Sequence, residues 1–210
     1  MATQAERSAA SRQRLLDAAV ALLAEKGVQA TSVAEIGARA GMSRAAVNFH
    51  FGSKDALLAA VVARVIEEWE RAVLQPELKE VEDFAGAMRA ALTAHRKMVT
   101  EATTTYRVYY VLLLESLGPS PQLRIEFVRL RRKFRTSFVE GLRAAGVTEE
   151  SGVDLEGMAA WFVGSLRGIA QQYLLEPDEV DLNAAHDELL EAIRARVVEA
   201  QLKSRQAVAT

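Results

Sequence analysis

The sequence holds three histidines, no cysteine and 28 acidic residues, and they are not arranged for catalysis. His50, His95 and His186 stand far apart, and no H-E-x-x-H, G-x-S-x-G or phosphate-cradling glycine loop occurs. Without cysteine there is no thiol nucleophile, disulfide, or Cys-based zinc or iron–sulfur site. No catalytic residue, metal or cofactor is therefore expected, and an enzyme is the poorer reading. The stretch with functional chemistry is one of recognition: Thr31–Leu58, TSVAEIGARAGMSRAAVNFHFGSKDALL. It reads as two short helices joined at Gly41-Met42-Ser43, where glycine accepts a positive φ at little cost. Two helices across a tight glycine turn form a helix-turn-helix, whose second helix can enter the DNA major groove. The pair Ala45-Ala46 keeps that helix slim for a groove about 12 Å wide. Ser32, Ser43 and Ser53 read as N-caps, and Ser32 with Glu35 as a capping box.

Thr31–Leu58 resembles the N-terminal DNA-binding domain of the tetracycline-repressor (TetR) family of bacterial transcriptional regulators. The matching elements are T-S-V-x-x-I, then A-G-M-S in the turn, V-N-F-H-F, and G-S-K-D-A-L-L opening the next helix. The detailed match covers about residues 10–65; a later L-L-x-P-D run, Leu174–Asp178, is also family-like. The resemblance implies a phosphate contact at Thr31 and Ser32, and a recognition helix opened by Ser43 and Arg44. Ala45, Asn48 and Phe49 would follow on its groove face, with His50 near its end, and Lys54 would meet a phosphate. Family members often carry Tyr where this chain has Asn48. Within that frame Lys54, Thr31 and the helix starts at Ser32 and Ser53 set register on phosphates. Arg44 and Asn48 are the candidates for base readout, since Arg pairs bidentately with guanine and Asn with adenine. Phe49 and Phe51 have a second reading as core of the small domain, and His50 as a plain surface residue.

The elements that must hold these residues are helical nearly throughout. Apolar residues recur every three or four positions, and Ala, Leu, Glu and Arg dominate. About nine helices are expected. The first ends at Gly27, the fourth runs from Ser53 to Gln75-Pro76, and five more follow: Glu82–Thr100, Thr103–Leu117, Pro121–Ala145, Asp154–Leu175 and Leu182–Leu202. The fold class is all-α. Residues 1–60 form the DNA-binding domain, with the fourth helix as connector, and residues 61–210 a ligand-binding and dimerisation domain. Residues 1–60 carry seven Lys/Arg against five Asp/Glu, a net of +2. Residues 61–210 carry 19 against 23, a net of −4, and the sign of the contrast suits an N-terminal segment meeting a polyanion.

A single short recognition helix binds weakly, so a two-fold homodimer on an approximately palindromic operator is expected. The resemblance points to the eighth and ninth predicted helices as its surface. The eighth has one core-like stripe, Leu155, Met158, Ala159, Phe162, Leu166, Ile169 and Tyr173. A second stripe holds Gly157, Ala160, Trp161, Gly164 and Gly168. An interior glycine costs about 1 kcal/mol against alanine, so three in a row imply close approach of another helix. That helix could belong to a partner or to the same chain. Leu182, Leu189 and Ile193 are the candidates from the ninth helix. The family usually encloses an effector among the fifth to eighth helices. Its wall would draw on Phe84, Met88, Leu92, His95, Tyr106, Tyr109, Tyr110, Leu113, Phe127, Phe134, Phe138, Trp161, Phe162 and Ser165. Such a lining suits an apolar or amphipathic small molecule, though aromatics at helical spacing also read as plain core. The arginines of the seventh helix read as a solvated face, with an anion site as the alternative.

No signal peptide and no apolar run near the 20 residues of a membrane span is visible, so a cytoplasmic protein without membrane partners is expected. The function these features imply is a ligand-responsive, sequence-specific DNA-binding repressor. A helical interaction module that has lost DNA binding is the third alternative beside the enzyme, and selection of DNA by the purified protein separates it.

Overall fold

The computed structural model describes residues 3–208, and every regular element among them is helical. The helices are α1 Gln4–Lys26, α2 Val33–Arg39, α3 Arg44–Phe51, α4 Lys54–Trp69, α5 Gln75–Leu78, α6 Phe84–Thr100, α7 Thr103–Glu115, α8 Pro121–Ala144, α9 Leu155–Leu175 and α10 Leu182–Val208. The nine helices expected from the apolar spacing are all present. The extra element is α5, a single turn. It follows a π-helical turn over Glu70–Leu74, where an uninterrupted fourth helix was expected. Pro76 lacks an N–H and crowds the carbonyl four residues back, and the widened turn before it relieves that crowding. A 3₁₀ turn, Glu149–Ser151, links α8 to α9.

The chain forms two compact units. The first holds α1 to α4, α7 and the start of α8 as far as Arg129. Its core is apolar and layered. Leu15, Leu16, Ala19, Leu22 and Leu23 of α1 are buried with Ile36 of α2, Val47 of α3 and Leu57, Leu58, Val61 and Val62 of α4. Tyr106, Val108, Tyr109, Leu112 and Leu113 of α7 are buried too, as are Leu123 and Phe127 of α8. Each such leucine or valine contributes about 1.5–3 kcal/mol relative to exposure. The start of α8 is held by polar bonds. Asp55 of α4 accepts from the backbone N–H groups of Gln122 at 2.8 Å and Leu123 at 3.3 Å, and the Ser53 hydroxyl donates to Gln122 Oε1 at 2.9 Å. A carboxylate at a helix N-terminus also meets the positive end of its dipole.

The second unit runs from Glu70 to Glu101 and from Leu130 onward. Met88 and Leu92 of α6 pack with Phe138, Val139 and Leu142 of α8, Leu155, Met158, Ala159 and Phe162 of α9, and Leu189, Ile193, Val197 and Ala200 of α10. Gly141 is small for a packing reason: a Cβ there would stand 3.1 Å from the Phe84 ring. This core corrects one expectation. Leu182, Leu189 and Ile193, offered as dimer-surface residues, are at most 5% exposed within their own chain. Leu189 and Ile193 turn inward because α10 covers the α9 core stripe, and Leu182 is buried at the start of α10.

Candidate nucleic-acid interface

The helix-turn-helix is built from caps and one close approach. Ser32 Oγ accepts from Glu35 N at 3.2 Å, while Glu35 accepts from Ser32 N at 2.9 Å and from the Ser32 hydroxyl at 2.7 Å. Lys26 also pairs with Glu35, and these bonds pull the Glu35 carboxyl down to about 2. Arg39 pairs with Glu25 at 2.6 Å and lowers its carboxyl as well. Both acids of this region are thereby matched by cations. The turn follows: Gly41 takes φ 68°, Met42 N donates to Gly37 O at 2.8 Å, and Ser43 Oγ accepts from Ala46 N at 3.2 Å to start α3. Gly37 is a residue that sequence reasoning passed over. A Cβ on it would lie 3.0 Å from Met42 O and 3.1 Å from Ser43 C and O, so any larger residue makes the turn backbone give by a few tenths of an ångström where it closes over α2. The A-G-M-S resemblance placed the turn but gave no sign of what it packs on.

α3 buries Val47 and exposes Arg44, Ala45, Asn48 and Phe49. Phe49 is 82% exposed, so its alternative reading as core is discarded. Phe51 is half-buried with the Arg12 guanidinium 5.1 Å from its ring centroid, and His50 is half-buried with its ring edge-on to Phe49 at 5.3 Å. Ser53 starts α4 by accepting from Ala56 N at 3.0 Å.

Two residues stand differently from their expected phosphate contacts. Thr31 is 1% exposed, and its hydroxyl donates to Gly27 O at 2.7 Å. It closes the α1–α2 turn and presents no hydroxyl to a phosphate. Lys54 is half-buried, with Nζ donating to Val28 O at 2.7 Å. Its cation is held beside the start of α4 by that bond, and an ammonium has three donors, so the tie orients the charge without consuming it.

The expected cavity wall divides between the units. Tyr106, Tyr109, Tyr110, Leu113 and Phe127 lie in the first, where Tyr106 and Tyr109 stack at 5.9 Å and Tyr109 meets Phe127 at 5.4 Å. The rest lie in the second, where Phe84, Phe138 and Phe162 form a run at 5.5 and 5.0 Å. Leu92 belongs to the same core, and Phe134 and Ser165 are half-buried. His95 is buried, with Nδ1 3.2 Å from Nε2 of the buried His186. A cavity of 660 Å³ in the second unit is lined by Phe84, Met88, Val81, Ala87, Gly141 and Val197, with Glu82, Asp83, Ser137, Arg194 and Gln201 as its polar groups. Phe84 and Met88 are the expected residues it brings together. Trp161 is 39% exposed on α9, with Arg196 6.0 Å from its ring, so it is not an enclosed wall residue. Gly157, Ala160 and Gly164 are exposed beside it. A Cβ at Gly164 or Gly168 would meet nothing within 4 Å, so neither glycine is explained by packing inside its own chain.

Residues 15–61 match the family described as bacterial regulatory proteins, tetR family. Over 184 residues the chain is 26% identical to the HTH-type transcriptional regulator BetI of Burkholderia ambifaria (strain MC40-6), covering 84% of this chain and 95% of that one. Among solved structures, a transcriptional regulator from Rhodococcus sp. Rha1 superposes with a TM-score of 0.73 at 25% identity, over 90% of this chain and 97% of that one. The SmeT–triclosan complex superposes with a TM-score of 0.70 at 27% identity, over 87% and 91%.

Proposed function

We propose, from the premise that this chain is a bacterial regulatory protein of the tetR family, that it is a cytoplasmic repressor released from its operator by a small apolar or amphipathic effector. The observation that carries the reading is the outward face of α3. Arg44 and Asn48 stand exposed on a helix whose opposite side is locked by Val47 and whose start is capped by Ser43. A rigid helix with free hydrogen-bonding side chains is what base readout requires. Lys54 and the exposed starts of α2 and α4 at Ser32 and Ser53 supply register on the phosphates.

Two copies are needed for affinity and for reading a palindrome. The α9 stripe of exposed Gly157, Ala160, Trp161 and Gly164, continued by half-buried Gly168, supports a homodimer through α9 and the outer face of α10. The SmeT–triclosan complex supports an effector of apolar character, and the 660 Å³ cavity lined by Phe84 and Met88 has the size and lining for one. Release follows if the effector binds better to the conformation whose recognition helices are wrongly spaced for DNA. The test is selection of duplexes from a random pool by the purified protein. A panel of apolar and amphipathic molecules, with triclosan as the first probe, is then titrated into the complex. Enrichment of an inverted repeat and its loss on addition of one compound class support the reading. A selected pool without consensus rejects it.

A further inference from the structure

Resting on that DNA-reading assignment, we infer that Phe49 reads a thymine methyl group in each operator half-site. The argument starts from the outward face of α3. Residues four apart on a helix lie one above the other, so this face carries two adjacent rows. Arg44 and Asn48 form a polar row; Ala45 and Phe49 form an apolar one, and all four side chains are exposed. The polar row addresses donors and acceptors on base edges. The apolar row cannot, since neither alanine nor phenylalanine has a hydrogen-bonding side chain.

Phe49 is 82% exposed, the highest value among the exposed large hydrophobics. Its edge contact with His50 at 5.3 Å leaves the ring in water. Such a ring gains free energy only when a partner covers it. The apolar group that base edges offer in the major groove is the C5 methyl of thymine, a known contact for alanine and phenylalanine. From Arg44 to Phe49 the helix rises five residues at about 1.5 Å each. With base pairs about 3.4 Å apart, the thymine lies about two base pairs from the base that Arg44 reads.

Replacing thymine by deoxyuridine removes only the methyl and leaves every hydrogen-bonding group. The experiment measures binding of the full chain to its selected operator, with each thymine replaced in turn. At one position in each half-site, deoxyuridine weakens the wild-type complex about fourfold, the value for one buried methyl. In Phe49→Ala that penalty disappears, and Phe49→Leu, which keeps an apolar contact, retains part of it. The Phe49 ring is exposed, so thermal unfolding of both variants stays at the wild-type midpoint. Wild-type binding indifferent to deoxyuridine everywhere overturns the inference while leaving DNA recognition standing. The same holds if Phe49→Ala loses equal affinity on thymine and deoxyuridine operators, as a backbone contact would. Failure to bind any duplex overturns both.

Discussion

Arg44 and Lys54, the proposed base-reading and phosphate-holding cations, are held by different means, and their variants separate positioning from reading. Arg44 is exposed at the start of α3 with no bond to its end among the described residues, whereas Lys54 is tied to Val28 O at 2.7 Å. Arg44→Ala should cost about 1–3 kcal/mol of discrimination at one operator position. Lys54→Ala should weaken binding on all sequences and lower the salt slope by about one. Because Lys54 also braces the α1–α2 turn, its variant should unfold at a lower temperature too. Fluorescence anisotropy on matched and mismatched duplexes, with parallel thermal scans, checks both. Gly37 gives a sharper structural prediction. Gly37→Ala sets a Cβ against the backbone of Met42 and Ser43, where no side chain can swing aside. It should destabilise the protein by about 1–3 kcal/mol, read by chemical denaturation, and an unchanged midpoint would contradict the turn geometry. Some residue roles were legible and some were not. The capping serines announce themselves because a cap depends on residues within three positions. The burial of Thr31 and the bond of Lys54 to Val28 depend on how the α1–α2 turn meets α4, a separation of 26 residues for that bond.

At the scale of elements, the joint between α6 and α10 contains a pair of buried imidazoles. Burial pushes His95 down to about 3, helped by the neighbouring His186 and the positive charge of Arg167. Burial also pushes His186 down to about 4, with Arg96 lowering it further and Asp187 opposing. His186 Nδ1 has no hydrogen-bond partner among the described residues, so a proton taken up there has nothing among them to receive it. The unfolded chain titrates these rings near 6.5. Below that value it binds more protons than the folded state, so stability is full above the unfolded value and is lost as pH falls toward the folded ones. Denaturant midpoints between pH 7 and pH 4 should fall steadily, and His186→Leu should flatten the slope by about one proton. A wild-type slope unaltered by that variant would contradict the assignment. Long periodic helices were readable from apolar spacing alone. The π turn at Glu70–Leu74 was not, because Pro76 announces an interruption without saying whether the chain stops or widens. Nor was the clamp of Asp55 on α8, whose partners lie 67 and 68 residues away.

For the molecule as a whole, the helical class was legible because no segment alternates as a strand would. The membership of α7 in the unit holding the helix-turn-helix was hidden, because it rests on packing against α1 and α4 rather than on any local pattern. The glycine stripe was visible, but the inward turn of Leu182, Leu189 and Ile193 was not, since an apolar face on α10 looks the same whether it meets α9 or a partner. The proposed dimer therefore rests on the exposed α9 stripe. Gly164→Glu adds a charged side chain at a position where the new Cβ meets nothing of the same chain within 4 Å. It should leave folding intact and convert a dimer to a monomer in light scattering at micromolar concentration. A wild-type monomer, or a variant that stays dimeric, would contradict that surface. The measurement that bears most directly on the central claim is duplex selection run in parallel with the wild type and Arg44→Ala. An inverted repeat should emerge, with half-site centres about 34–36 Å apart or a multiple of that, and one position in each half should lose its preference in the variant. Selected pools without an inverted repeat, or identical pools for both proteins, would contradict the account.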